Sequence, residues 1–501
     1  MGSDPQYLSK RDYGYSLLPG AEGATYTTFR RSTAYRDRPD TLLVGSNNGF
    51  LHGFDARTGV ELFAYMPSEL LLPREATTHA QINELMRPDY SHRYFVDGTA
   101  AVGDAYIGGS WRTMVVGTMG AGGRTVFALD VTNPAAVGTA SVLWEFTHPD
   151  LGFGVTKPKI VRMSNGTWAA VFGNGVNSAT HRPRLFVVNL ANGSLIHNIA
   201  LGGAGDGSLA DPNGLSAVET TDWPANDLSL SNAYAGDLHG NLWRVNFRTA
   251  TPAVTRLFRA VDSASARQPI TARPRVALRP GTTTEAVVVL GTGSFFRVGD
   301  STTVSPQVQS LYGIFDSPTP SGTIATRADL LPQTITSNTS TTVIGSTTFE
   351  PGSLRFVSTG ALNTNHRGWV LNLPSPGERV ISEATFPTGA NQQRARFTTL
   401  IPDDDPCRSG RNGFLMDINL ANGGRFTTPV FDINNDGVFD SSDNAGGNPV
   451  SGIGGPTGET LTTIRDPNAD RDNLYSGDGR KIGTGRNNAG PVGRQSWRQL
   501  R

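Results

Sequence analysis

Short runs of β-branched, aromatic and leucine residues recur along the chain, each cut off by glycine, asparagine, aspartate or proline. TLLVGSNNGFLHGFD (41–55), RTMVVGTMG (112–120), RTVFALDVT (124–132), AAVFGNG (169–175), RLFVVNLANG (184–193), EAVVVLGTG (285–293) and RGWVLNLP (367–374) are of this kind. Their length and residue types predict strands. Helical periodicity is nearly absent, and the one helical candidate is a short turn within SELLLPREATTHAQINELM (68–86). The pattern predicts an all-β protein.

Two phrases repeat. The first is a strand, then glycine with asparagine or aspartate, then another strand, as in LLVGSNNGFLHGFD, YAGDLHGNLWRVNF (234–247) and LGTGSFFRVGD (290–300). Such glycine-bearing pairs signal tight hairpins. The second closes a strand with aspartate or asparagine and a turn, as in FDARTGVELF (54–63), LDVTNP (129–134), VNLANGSLI (188–196), LNLPSPGERV (371–380) and DINLANGGRF (417–426). Successive four-stranded units of unequal length predict a modified β-propeller with irregular blades. Six or seven units can be counted, at about 40–68, 93–147, 153–200, 214–262, 270–315, 340–385 and 394–430, and seven is the expected number. Residues 1–35 form a leading segment that could help close the propeller, 36–430 the propeller itself, 431–464 a calcium-loop and glycine-rich extension, and 465–501 a polar tail of doubtful order with an anchor around Trp497. The Ser/Thr/Pro-rich stretch 317–342 reads as a surface insertion.

The 43 basic and 43 acidic residues of the 501 cancel, which removes the electrostatic argument for nucleic acid or an anionic membrane as the main partner. Cys407 is the single cysteine, so an internal disulfide, a CxxC redox pair and a cysteine-built zinc site are excluded. No apolar run approaches the roughly 20 residues of a transmembrane helix, and MGSDPQYLSK lacks a signal-peptide pattern. Either the protein is cytosolic or the chain is a fragment whose export signal lies upstream, and the abrupt start favours a fragment.

Against this neutral background DINNDGVFDSSD (432–443) concentrates four carboxylates in twelve residues. Counted as a calcium loop, Asp432, Asn434 and Asp436 fall at positions 1, 3 and 5, Gly437 at 6, Val438 at 7, Asp440 at 9 and Asp443 at 12. A hard cation collects six to eight oxygens; alternate side chains can supply them, Gly437 can take the positive φ of the turn, and Val438 needs to offer only its carbonyl. The competing reading is an ion-free Asx-rich turn. The close carboxylates repel one another, which favours Ca2+. The loop departs from the EF-hand in having an aspartate at position 12 and no exit helix. DPNADRD (466–472) and Asp403, Asp404 and Asp405 read as polar surface, His52 and His239 as packing or exposed residues, and the GAGG (120–123) and GDG (205–207) runs as turns. No catalytic nucleophile is indicated.

YAGDLHGNLWRVNF, VGSNNGFLHGFDARTGVELFAYMP, the long segments 93–132, 144–178 and 397–425, and the closing GRQSWRQLR resemble the C-terminal half of the PilY family of type IV pilus proteins. The resemblance implies a modified seven-bladed propeller, exported to the periplasm, cell surface and pilus tip. It would assist pilus extension, twitching motility and adhesion, with pilins or minor pilins and a host or abiotic surface as partners. One departure stands out. Many relatives carry a DxDxDGxxD calcium run just before the YAGDL segment, whereas this chain has ETTDWPANDLSLSN (219–232), keeping only Asp222, Asn226 and Asp227 as oxygens. The resemblance therefore leaves the 432–443 loop as the main calcium candidate. GSNNGFLHGFDARTGVE is also similar to a repeat of quinone-dependent dehydrogenase propellers, which is the alternative reading; many of those stack the cofactor on a vicinal disulfide that a lone cysteine cannot form.

Overall fold

The computed structural model describes residues 3–74, 78–155, 157–301, 306–318, 324–345, 347–387, 394–402, 413–455, 462–465, 471–475 and 481–485. The chain divides into two compact units, Met1–Asp237 with Arg244–Thr255, and Leu238–Trp243 with Arg256–Arg501.

In the first unit, antiparallel four-stranded sheets follow one another. The first runs Gln6–Leu8, Thr41–Gly45, Leu51–Asp55 and Glu61–Tyr65; the second Ala101–Ile107, Ser110–Thr118, Val126–Asp130 and Val142–Phe146. The third is Lys159–Arg162, Trp168–Gly173, Arg184–Asn189 and Leu195–Ala200. The second sheet is covered on both faces, and its period of two shows how. Val115, Phe127 and Leu129 pack with Leu43, Leu51 and Phe63 of the first sheet. Their neighbours Met114, Val116 and Ala128 pack with Trp168, Phe172 and Phe186 of the third. Strands buried on both faces read as continuous apolar runs rather than alternating ones, and VVGT and AAVFG are such runs.

A helix, Gly20–Arg31, was not expected from the sequence. Its residues GAEGATYTTFRR include two glycines and three threonines, all weak helix formers. Contacts distant in sequence hold it. The Tyr26 hydroxyl donates to buried Asp104 at 2.9 Å, the Trp111 indole donates to the Glu22 carbonyl at 3.0 Å, and the Glu22 carboxylate receives Arg162 at 2.6 Å and Trp168 at 2.9 Å. Tertiary contacts here override propensity. The expected turn within 68–86 is two 3₁₀ turns, Ser68–Leu71 and Gln81–Met86.

The fourth sheet orders Glu219–Thr221, Asn232–Gly236, Asn241–Asn246 and Ala253–Arg259. In the second unit the fifth sheet orders Arg275–Leu278, Ala286–Gly291, Ser310–Asp316, Gly368–Asn372 and Leu331–Gln333. The sixth orders Ile335–Ser337, Leu354–Val357, Gly452–Gly455, Gly413–Asn419 and Arg394–Thr398. Two expectations are corrected here. Units 340–385 and 394–430 are not separate sheets, because 354–357 and 413–419 both pair with 452–455 while 368–372 pairs with 310–316. The 317–342 stretch is not wholly a surface insertion either: Leu331–Gln333 is a parallel strand beside Gly368–Asn372, with Leu331 and Gln333 buried. Its polar composition hid two strands of three residues. A seventh sheet pairs Phe431–Asp432 with Lys481–Gly485, then Arg471–Tyr475 and Thr462–Arg465. Parts of the polar tail are thus strands, while Trp497 lies outside the described residues.

The two phrases in the sequence have structural counterparts. In three sheets a polar residue just past one strand accepts an N–H at the start of its antiparallel neighbour: Asn174 from Arg184 at 3.0 Å, Thr292 from Ser310 at 2.9 Å and Thr399 from Phe414 at 2.9 Å. The pentapeptide NLANG occurs at 189–193 and 419–423 with the same geometry. Asn189 and Asn419 accept from the amide two residues on, and Gly193 and Gly423 stand at φ 73 and 70. A tryptophan lies over each turn, Trp144 donating to the Leu190 carbonyl at 2.9 Å and Trp369 to that of Leu420 at 3.1 Å.

Candidate metal centre

The 432–443 loop sits on one face of the sixth sheet. Leu415 points into a cluster with Phe431, Ile433, Ala445 and Ile453, while its neighbour Met416 joins the core on the opposite face. This anchoring buries Asp432 and Asp443 at the two ends of the loop and leaves Asn435, Asp436, Val438 and Asp440 exposed. Gly437 adopts φ 87, as the spacing requires, and Asn435 also enters the left-handed region at φ 60.

Backbone amides of the loop are received by the side chains at alternate positions. Asp432 Oδ2 accepts from Gly437 N at 3.2 Å, Asn434 Oδ1 from Asp436 N at 2.9 Å, and Asp436 Oδ1 from Val438 N at 2.7 Å. Asp440 Oδ1 accepts from the Ser442 amide and hydroxyl at 2.8 and 2.7 Å. Asp443 reaches back, one oxygen accepting from Ile433 and Asn434 at 2.8 and 3.3 Å, the other from Asp440 at 3.2 Å. Burial pushes the Asp443 carboxyl above its ordinary range, and the nearby Asp432 charge adds to the shift against the pull of those amides. Asp440, exposed, is held below the ordinary range by its bonds from Ser442.

The donor set is all oxygen and suits a hard divalent cation. The carboxylates are not gathered on one point: among the described residues no three His, Cys, Asp or Glu groups are placed to hold a metal ion. The sequence therefore located a closed loop with oxygen donors in calcium-loop order, with its amides satisfied by those same donors.

Asp222, Asn226 and Asp227 are arranged differently. Asp222 Oδ2 accepts from Leu228 N at 3.1 Å, the Asn226 side chain donates to the Pro224 carbonyl at 3.1 Å, and Asp227 pairs with Arg248. Arg248 was missed by the sequence reading; the only hint is its place in NFRT, just past a strand end. Among the remaining candidates, His52 is paired with Glu61 at 2.6 Å and His239 is buried. Gly120 and Gly207 occupy positive-φ turns. Residues 403–410 with Cys407, and 466–470, lie outside the described residues. No helix among the described residues is long and apolar enough to cross a membrane.

Four-stranded antiparallel sheets in chain order, packed face to face in the first unit, and the interleaved five-stranded sheets of the second make a nearly all-β protein of the propeller class. The PilY1 beta-propeller domain model matches residues 3–253 and 245–348. The chain belongs to the PilY1 β-propeller family. It is 32% identical to the type IV pilus biogenesis factor PilY1 of Pseudomonas aeruginosa, over 100% of this chain and 45% of that protein. It is 34% identical to a PilY1 homolog of Xylella fastidiosa, over 85% of this chain and 29% of the relative. The chain thus spans less than half the length of these relatives, whose names describe a biogenesis factor and no enzyme. The crystal structure of the Pseudomonas aeruginosa PilY1 C-terminal domain is similar with a TM-score of 0.77 at 29% identity, covering 97% of this chain and 100% of that one.

Proposed function

We propose that this chain is the propeller portion of a non-enzymatic, calcium-binding type IV pilus assembly factor and tip adhesin. In this reading it is exported to the periplasm, cell surface and pilus tip, where it meets pilins or minor pilins, attaches to host or abiotic surfaces, and supports extension and twitching motility. The similarity to the PilY1 C-terminal domain along almost the whole chain carries the reading. Propellers offer wide rigid faces whose loops can vary without disturbing the sheets, which suits an adhesin.

Asp432, Asn434, Asp436, Asp440 and Asp443, with the Val438 carbonyl, would hold Ca2+. Three observations support the ion: donor order, the left-handed backbone at Gly437, and two buried carboxylates at the loop ends whose mutual repulsion a cation would offset. The ion would supply charge neutralisation and rigidity to the loop, biasing it toward one conformation.

A calorimetric calcium titration of chelator-treated protein tests this. Wild-type protein should show a site that Asp436→Ala lacks, with identical circular dichroism. Retained affinity in the variant would place the ion elsewhere, and absence of binding in both would make the loop a plain turn. In the full-length protein, the same substitution should alter piliation or twitching; normal motility under calcium depletion would remove the regulatory role.

A further inference from the structure

The turn joining Glu219–Thr221 to Asn232–Gly236 spans 222–231 and contains no glycine. Even so, Asn226 and Leu228 stand at φ 54 and 62, a region that is strained for a residue such as leucine and persists only where the surroundings enforce it. Two guanidiniums reach the turn: Arg162 donates Nη1 to the Ser229 hydroxyl at 2.8 Å, and Arg248 binds three of its residues. Arg248 gives Nη1 and Nη2 to the two oxygens of Asp227 at 2.8 and 2.5 Å. Nη2 also donates to the Ser229 carbonyl at 2.9 Å, and Nε to the Ser231 hydroxyl at 2.9 Å. A carboxylate, a backbone carbonyl and a hydroxyl from three alternate residues thus converge on a single positive group. That mixture of oxygens is what a hard metal ion gathers, but here a side chain supplies the charge.

We infer that Arg248 is the built-in cation of the 222–231 turn, closing it without a metal ion. An exposed ion pair is ordinarily weak, but a planar fork that engages three residues at once adds geometric specificity to charge. The turn is then set by covalent sequence and does not respond to the supply of divalent ions. This inference is independent of calcium binding at 432–443.

Hydrogen–deuterium exchange of the whole chain, in calcium and in EGTA, tests it on wild-type protein, Arg248→Met and Arg248→Lys. Protection of the 222–231 amides in the wild type should be the same in both buffers. In Arg248→Met, exchange there should rise about tenfold or more, with 232–236 still protected. Arg248→Lys should fall between, because one ammonium cannot serve both carboxylate oxygens and the carbonyl with the same geometry. Wild-type protection that is lost in EGTA and restored by calcium would assign the turn to a metal and overturn the inference. Unchanged exchange in Arg248→Met would overturn it as well. If Arg248→Met does not fold, Asp227→Asn gives the same reading through the other partner: raised exchange confined to the turn is expected, and no change refutes the clamp.

Discussion

Asp417 is fully buried between Arg394 and Arg396 on the neighbouring strand. Burial alone would push its carboxyl up, but the two guanidiniums outweigh burial and hold it below the usual carboxylate range. A depressed value means that the stabilisation is complete above the unfolded value of about 3.9 and is lost as pH falls through the folded one. Acid should therefore loosen strands 394–398 and 413–419, which hydrogen exchange across a descending pH series would register after correction for intrinsic rates. Asp417→Asn leaves two buried guanidiniums without their anion and should cost about 3–5 kcal/mol, visible as a lowered urea midpoint. None of this could be read from RARFT and FLMDINL, because the arginines and the aspartate meet only through strand register. The same limit applies to Arg248 and Asp227, 21 residues apart. By contrast the turn at 432–443, with its left-handed Gly437, was legible, since its hydrogen bonds are entirely local.

Elements were legible where one strand sufficed to define them. Apolar runs bounded by glycine marked most central strands, and the Asx turns that close Leu51–Asp55, Arg184–Asn189 and Gly413–Asn419 were visible as repeats. The helix Gly20–Arg31 and the short strand Leu331–Gln333 were not, because both draw their stability from partners elsewhere in the chain. The turns allow a controlled comparison. Gly59, Gly193 and Gly423 share φ near +70, at 73, 73 and 70. A Cβ at Gly59 would meet nothing within 4 Å, whereas at Gly193 it would lie 2.8 Å from Trp144 and at Gly423 2.6 Å from Trp369. Gly59→Ala should thus cost only the backbone share, about 1–2 kcal/mol, and the other two distinctly more. Equal melting temperatures for all three variants would show that the tryptophans give way without cost.

At the scale of the whole molecule, the class and the family were readable from the repeated phrases and their resemblance, while the boundaries of the later sheets were not, because strands from 354 to 455 interleave in space rather than follow chain order. Each unit keeps its own buried ionic anchor, Glu22 with Arg162 in the first and Asp417 with its two arginines in the second. Glu22→Ala should raise exchange in the second and third sheets and Asp417→Asn in the sixth, and unchanged exchange in either case would show that the anchor is dispensable to its own unit. The Glu22 anchor also bears on biosynthesis. Arg162 and Trp168 lie 140 and 146 residues downstream of it, and the helix that carries Glu22 has little tendency to form alone. A nascent chain emerging from the ribosome therefore exposes residues 20–31 long before their docking sites exist. That stretch stays undocked until the strands bearing Arg162 and Trp168 have been made, so it settles well after its own synthesis.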